Sequence, residues 1–131
     1  MDLLIQIIPS LVLGSMLFFS IAIAPKIFTV LPSEEAGKFV RSIFPIYYMY
    51  NGLQYLILTI LMFYTGQSGN ILYLSCLILF FFIFSNYILM PLINKSRDVG
   101  DEKKFKFLHF SSVLINILII ICSIILILFI K

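Results

Sequence analysis

The sequence predicts an all-α fold: an integral membrane four-helix bundle with a short amphipathic interfacial helix, on the cytoplasmic side, between its first two spans. Three observations predict it. Hydrophobic residues make up 62% of the 131 residues and charged residues only 11%, against about 45–50% and about 25% in an average soluble domain. Mean hydropathy is +1.13, and a soluble domain this small leaves most of its residues touching water, so it has nowhere to hide that much apolar surface. The apolar residues are also gathered into four long runs rather than scattered. Together these exclude a cytosolic globular enzyme, a nucleic-acid-binding domain, a disulfide-stapled secreted module and a disordered tail. The length fits one polytopic domain, residues 1–131.

The four runs are Leu3–Ala24, Ile46–Thr65, Ile71–Ile93 and Phe107–Ile130. A bilayer core of about 30 Å takes about 20 helical residues, and each run is long enough. None alternates polar with apolar residues, so helices are predicted rather than barrel strands. Gly66–Asn70 is a tight polar turn. The other two connections are basic: Lys26, Lys38 and Arg41 in the first, and Lys95, Arg97, Lys103, Lys104 and Lys106 around the third. With four spans they share one side, and Lys131 stands alone on the other. The positive-inside rule then places both basic connections in the cytoplasm and both termini outside it, in a bacterial inner membrane. Met1-Asp2 offers no positive leader region, so an uncleaved N-terminus is expected. Cys76 and Cys122 lie inside apolar runs and read as small apolar side chains.

Within the first connection, Pro32 and Ser33 signal a helix start, with Glu34 and Glu35 at its positive end. Ala36, Phe39, Val40, Ile43 and Phe44 share one face, while Lys38, Arg41 and Ser42 occupy the other. Residues 33–44 are therefore expected to lie as a separate helix in the headgroup layer, closed by Pro45. The alternative is a plain extension of the second span. An internal repeat is also suggested: at an offset of 66 residues Phe18, Pro25, Ile27, Lys38, Phe39 and Phe44 meet Phe84, Pro91, Ile93, Lys104, Phe105 and Phe110. Pro25 and Pro91 are expected to end or bend their helices.

Several motifs carry a resemblance. They are Gly14 through Phe19, Ala24-Pro25-x-Ile27-Phe28-x-x-Leu31-Pro32, Ala36-Gly37-x-Phe39-Val40-Arg41-x-x-Phe44-Pro45-x-Tyr47-Tyr48, Pro91-Leu92-Ile93-Asn94-x-x-Arg97-Asp98 and Phe107-Leu108-His109-x-x-Ser112-Val113-x-x-Asn116. They resemble the transmembrane protein 205-like family of small four-helix membrane proteins, which contains a domain of unknown function. The resemblance implies four spans and supplies no activity. The layout is also distantly similar to copper-resistance D-type proteins and to the J-type protoporphyrinogen oxidase.

Polar residues inside the runs are the candidates for chemistry, because in lipid they are costly unless they face the bundle. His109, Ser112, Asn116 and Ser123 share one helical face. Tyr47, Asn51 and Gln54 share another, and Asn86, Asn94 and Asp98 follow along the third span. Two readings follow: a small polar cavity toward the cytoplasm, built from His109, Asp98, Asn94, Tyr47, Asn51, Ser112 and Asn116, with Tyr47, Asn94, Asp98 and His109 at its mouth and Asp98 as the partner of His109, or hydrogen-bonding glue between helices with capping at the membrane interface, which is the reading expected for Ser10, Gly14, Asn86 and Ser123. Ser10 and Gly14, one turn apart, predict a close helix approach. Phe80, Phe81, Phe82 and Phe84 are expected to face lipid, and Tyr47, Tyr48, Tyr50 and Tyr87 to form interface belts. The functional expectation is a multi-pass membrane protein without a catalytic site, an accessory, scaffold or small transport-related protein. It would contact membrane lipid, bind no nucleic acid, hold no cofactor or metal, and join a homo-oligomer or a larger membrane complex. The alternative is a redox or metal-handling protein in which His109 holds haem or copper.

Overall fold

The computed structural model describes residues 2–130. The expected position of the termini concerns Met1 and Lys131, which lie outside them. Four helices follow one another: α1 Asp2–Val30, α2 Ser33–Tyr64, α3 Asn70–Asp98 and α4 Glu102–Phe129. All four are long and apolar enough to cross a membrane. Each extends beyond its apolar run, because the polar flanks, such as 94–98 and 102–106, keep helical conformation and backbone hydrogen bonds.

The turns are short, so sequential helices run antiparallel side by side. α2 ends at Gly66, whose φ of 74° lets the chain reverse. Gln67 N–H reaches back to the Met62 carbonyl at 2.9 Å and Gly66 N–H to Phe63 at 3.3 Å, the paired closure expected of a left-handed glycine. The same device ends α3, where Gly100 has φ 73° and Asp101 N–H meets the Ser96 carbonyl at 3.0 Å. Asp101 then starts α4, its carboxylate accepting from Lys104 N–H at 3.1 Å.

α1 packs on α2 and α4, and α3 packs on α2 and α4, giving a square bundle. Its core contains Ile5, Val12 and Met16 from α1, Tyr55, Leu58 and Met62 from α2, Ile78 and Phe82 from α3, and Ile119 and Leu126 from α4. The outer faces carry large apolar side chains such as Phe18, Ile21, Phe63, Phe80 and Leu128. Such a surface needs lipid rather than water against it. The aromatic run of α3 divides accordingly. Phe80 faces outward, whereas Phe82 is buried against Tyr55 with ring centroids 5.8 Å apart. Tyr50 and Tyr87 are exposed, but Tyr47 and Tyr48 are not belt residues. They are buried in a cluster with Phe19 and Phe44, the Phe19 and Tyr47 centroids being 4.7 Å apart.

Two expectations are corrected. Residues 33–44 are helical but form no separate interfacial helix, since α2 runs on through Pro45 to Tyr64. The reason is that this segment is claimed by α3. Ala36 is buried, the Arg97 side chain lies against Gly37, and Arg41 bonds to Asp98, so the segment is not free to tip onto the membrane surface. Of the two outcomes expected at Pro25 and Pro91, ending or bending the helix, the first does not occur, since both helices run on. Each proline is preceded by one π-helical turn, Phe19–Ile23 in α1 and Ser85–Leu89 in α3. There Ala24 N–H bonds to the Phe19 carbonyl and Met90 N–H to the Ser85 carbonyl, one residue further back than in an α-helix. The wider turn makes room for a ring that would otherwise press on the carbonyl four residues earlier.

Candidate functional site

One stripe of α2 supplies the polar centre of the bundle. Tyr47, Asn51, Tyr55 and Thr59 follow at steps of four, so they lie along one side of the helix. Asn51 is fully buried. Its amide donates to the Tyr47 carbonyl at 3.0 Å, and its oxygen accepts from Ser15 Oγ of α1 at 2.7 Å. The Tyr55 hydroxyl and Ser123 Oγ of α4 are 2.7 Å apart, joining diagonally opposed helices through the middle of the molecule. Thr59 Oγ1 lies 2.7 Å from Ser75 Oγ of α3. α2 is thus bonded to each of the other three helices.

Tyr47 closes no such bond. Its hydroxyl is directed at the Asn116 side chain of α4, yet this hydroxyl and Asn116 Oδ1 are both buried without a hydrogen-bond partner among the described residues. Of the seven expected site residues, Tyr47, Asn51 and Asn116 are therefore brought together in the core.

The other four are elsewhere. Arg41 Nη1 donates to Asp98 Oδ2 at 3.2 Å, Nη2 bonds to Asp98 Oδ1, and Nη2 also donates to the Asn94 carbonyl at 3.3 Å. This clamp ties the start of α2 to the end of α3. Arg41 holds the exposed Asp98 carboxyl below the usual carboxylate range, first by hydrogen bonding and further by its charge, to which the charge of Arg97 adds. The guanidinium is pushed up in turn. Asp98 is therefore the partner of Arg41 and not of His109. His109 is exposed on α4, its ring parallel to Phe105 with centroids 5.9 Å apart. Ser112 Oγ bonds to the His109 carbonyl of its own helix at 2.8 Å. The expected polar cavity with its mouth at Tyr47, Asn94, Asp98 and His109 is not formed, because Arg41 takes Asp98 and Asn94 while His109 points away. Among the described residues, no three His, Cys, Asp or Glu side chains gather where a metal ion would need them.

Sequence reasoning missed Ser15, Tyr55, Thr59 and Ser75. The step of four from Asn51 to Tyr55 and Thr59 was the available signal. Ser10 and Gly14 form no close helix approach. Ser10 is exposed and bonds to the Gln6 carbonyl, and among the described residues nothing comes within 4 Å of where a Gly14 Cβ would stand. α1 presents Ile5, Pro9, Val12 and Met16 to the bundle instead. Gln54 turns back to the Tyr50 carbonyl at 3.3 Å. Asn86 lines an outward furrow of about 470 Å³ between α2 and α3.

Fold and site together define an integral membrane protein whose interior is a helix-to-helix hydrogen-bond framework. The chain belongs to the family described as Domain of unknown function (DUF4149), whose model matches residues 7–102, the first three helices and their turns. It is also similar to an uncharacterized protein of Aquifex aeolicus (strain VF5), 32% identical over 115 residues that cover 87% of this chain and 84% of the relative. No solved structure matches.

Proposed function

We propose that this protein is a non-catalytic accessory or scaffold unit of a bacterial inner membrane, its basic end in the cytoplasm and both termini outside. The observation that carries the reading is the framework centred on α2. Ser15, Asn51, Tyr55, Thr59, Ser75 and Ser123 are used in bonds between helices, where a transporter needs polar groups free to meet cargo. The charge asymmetry between the two ends supports the orientation. The finer relationship to the transmembrane protein 205-like family belongs to the same proposal, supported by the motifs around Pro25, Arg41, Pro91 and His109. So does the duplication of a two-helix unit, supported by two π turns that stand 66 residues apart, the offset at which Pro25 meets Pro91.

The test is an absorbance spectrum and metal analysis of gently purified protein, together with ion flux through liposomes containing it. A featureless visible spectrum, no stoichiometric metal and no flux above empty liposomes are expected. A Soret band, bound copper lost in His109→Ala, or specific flux overturns the reading.

A further inference from the structure

The furrow between α2 and α3 lies on the lipid side of the bundle. Ile46, Tyr50 and Leu53 form one wall, Phe82 and Tyr87 the other, and Asn86 adds an amide. It is open in the middle because residue 52 is glycine; a Cβ there would stand 3.4 Å from the Phe82 Cβ. Fifteen residues nearer the basic end of α2, about 22 Å along the helix, Gly37 lies in the same crease against Arg97, itself fifteen residues beyond Phe82. The Arg97 guanidinium fills the place of a Gly37 side chain, its Nη2 within 2.7 Å of where a Cβ would be.

That guanidinium makes no ion pair among the described residues; the Asp98 carboxylate, which Arg41 holds, feels its charge only from beyond contact distance. At this end stand eight Lys and Arg against five Asp and Glu. Among the described residues only Lys38 and Arg41 are paired, with Glu34 and Asp98. A slot lined by apolar side chains, with a guanidinium beyond its basic end on the same pair of helices, matches an amphiphile with a negative head. The furrow begins at Ile46, nine residues from Gly37 or about 14 Å. With the guanidinium at the Gly37 level, the glycerol backbone and the first carbons of an acyl chain cover that span.

We propose that the α2/α3 furrow binds an anionic phospholipid, one acyl chain lying between Leu53 and Phe82 and the phosphate against Arg97. A second copy of the chain fits less well, because parallel packing through this face would bring two sets of like charges together. The proposal goes beyond the accessory role and does not depend on it.

The test uses the full chain in mild detergent, followed by native mass spectrometry and thermal melting with added lipid. Phosphatidylglycerol is expected to stay bound and to raise the melting temperature. Phosphatidylcholine with the same chains should bind about fivefold more weakly for each cation engaged, and glycerol 3-phosphate without chains should have no effect. Leu53→Trp fills the furrow from an exposed position and should abolish retention, while Leu53→Ala leaves it open and should preserve it. Arg97→Gln should remove the preference for phosphatidylglycerol and leave chain binding intact. Equal retention of the two lipids overturns the proposal. So does retention that survives Leu53→Trp, an equal shift with glycerol 3-phosphate, or a lipid-free dimer that Leu53→Trp dissociates.

Discussion

Two tyrosines on one stripe of α2 have opposite surroundings. The Tyr55 hydroxyl is bonded to Ser123 at 2.7 Å, whereas the Tyr47 hydroxyl, facing Asn116, is buried without a hydrogen-bond partner among the described residues. Interhelical hydrogen bonds in membrane proteins contribute about 0.6–2 kcal/mol, and an unsatisfied buried hydroxyl is itself a cost. Tyr55→Phe should therefore destabilise the bundle by about 1 kcal/mol, and Tyr47→Phe should leave stability unchanged or raise it. Reversible unfolding in bicelles reads both; a larger loss from Tyr47→Phe than from Tyr55→Phe would contradict the assignment. Arg41 and Asp98 give a pH prediction. The folded carboxyl titrates below its ordinary value of 3.8, so its contribution is present above that value and disappears as pH falls through the lowered one. The melting temperature of Asp98→Asn should lie below that of the parent at pH 7, and the gap should close in strong acid. None of these pairings was legible in the sequence. Arg41 and Asp98 are 57 residues apart, Tyr55 and Ser123 are 68 apart, and the composition of a span does not say which neighbour it meets. His109 stood out as the single histidine, and it proved to be on the outside.

At the scale of elements, the apolar runs located all four helices and Gly66–Asn70 the turn after α2, whereas Gly100, which ends α3 in the same way, was not singled out. The helix lengths were less legible, because hydropathy marks only the apolar run, while the Lys- and Arg-rich flanks are good helix formers that carry the helix past it. Proline was misleading for a physical reason: its steric conflict was relieved within the helix by a π turn. Such a turn is an α-helix with one residue too many. Deleting Ile88 should therefore be absorbed locally, giving folded protein with near-parental melting. Deleting Leu77 from the α-helical part rotates everything after it by about 100° and should abolish folding. Size-exclusion profiles and thermal melts of the two deletions distinguish these outcomes. Gly37→Ala is a milder probe of the α2/α3 crease. The atoms in its way are the tip of the Arg97 side chain, so stability should hold while phosphatidylglycerol retention falls.

At the scale of the whole molecule, the number of spans and the clustering of charge at one end were readable from hydropathy alone, because lipid tolerates so few arrangements of backbone. The proposed orientation calls for reporter fusions at residues 68 and 100, with an external signal at the first and a cytoplasmic signal at the second. The reverse pattern would invert the assignment of the basic end. The diagonal link between Tyr55 and Ser123 has a mechanical consequence. It closes the axis along which a hollow four-helix barrel conducts, so a solute crossing through the interior would first have to pry apart the opposing walls. In the proposed accessory role, exchange with the surroundings is confined to the perimeter of the bundle.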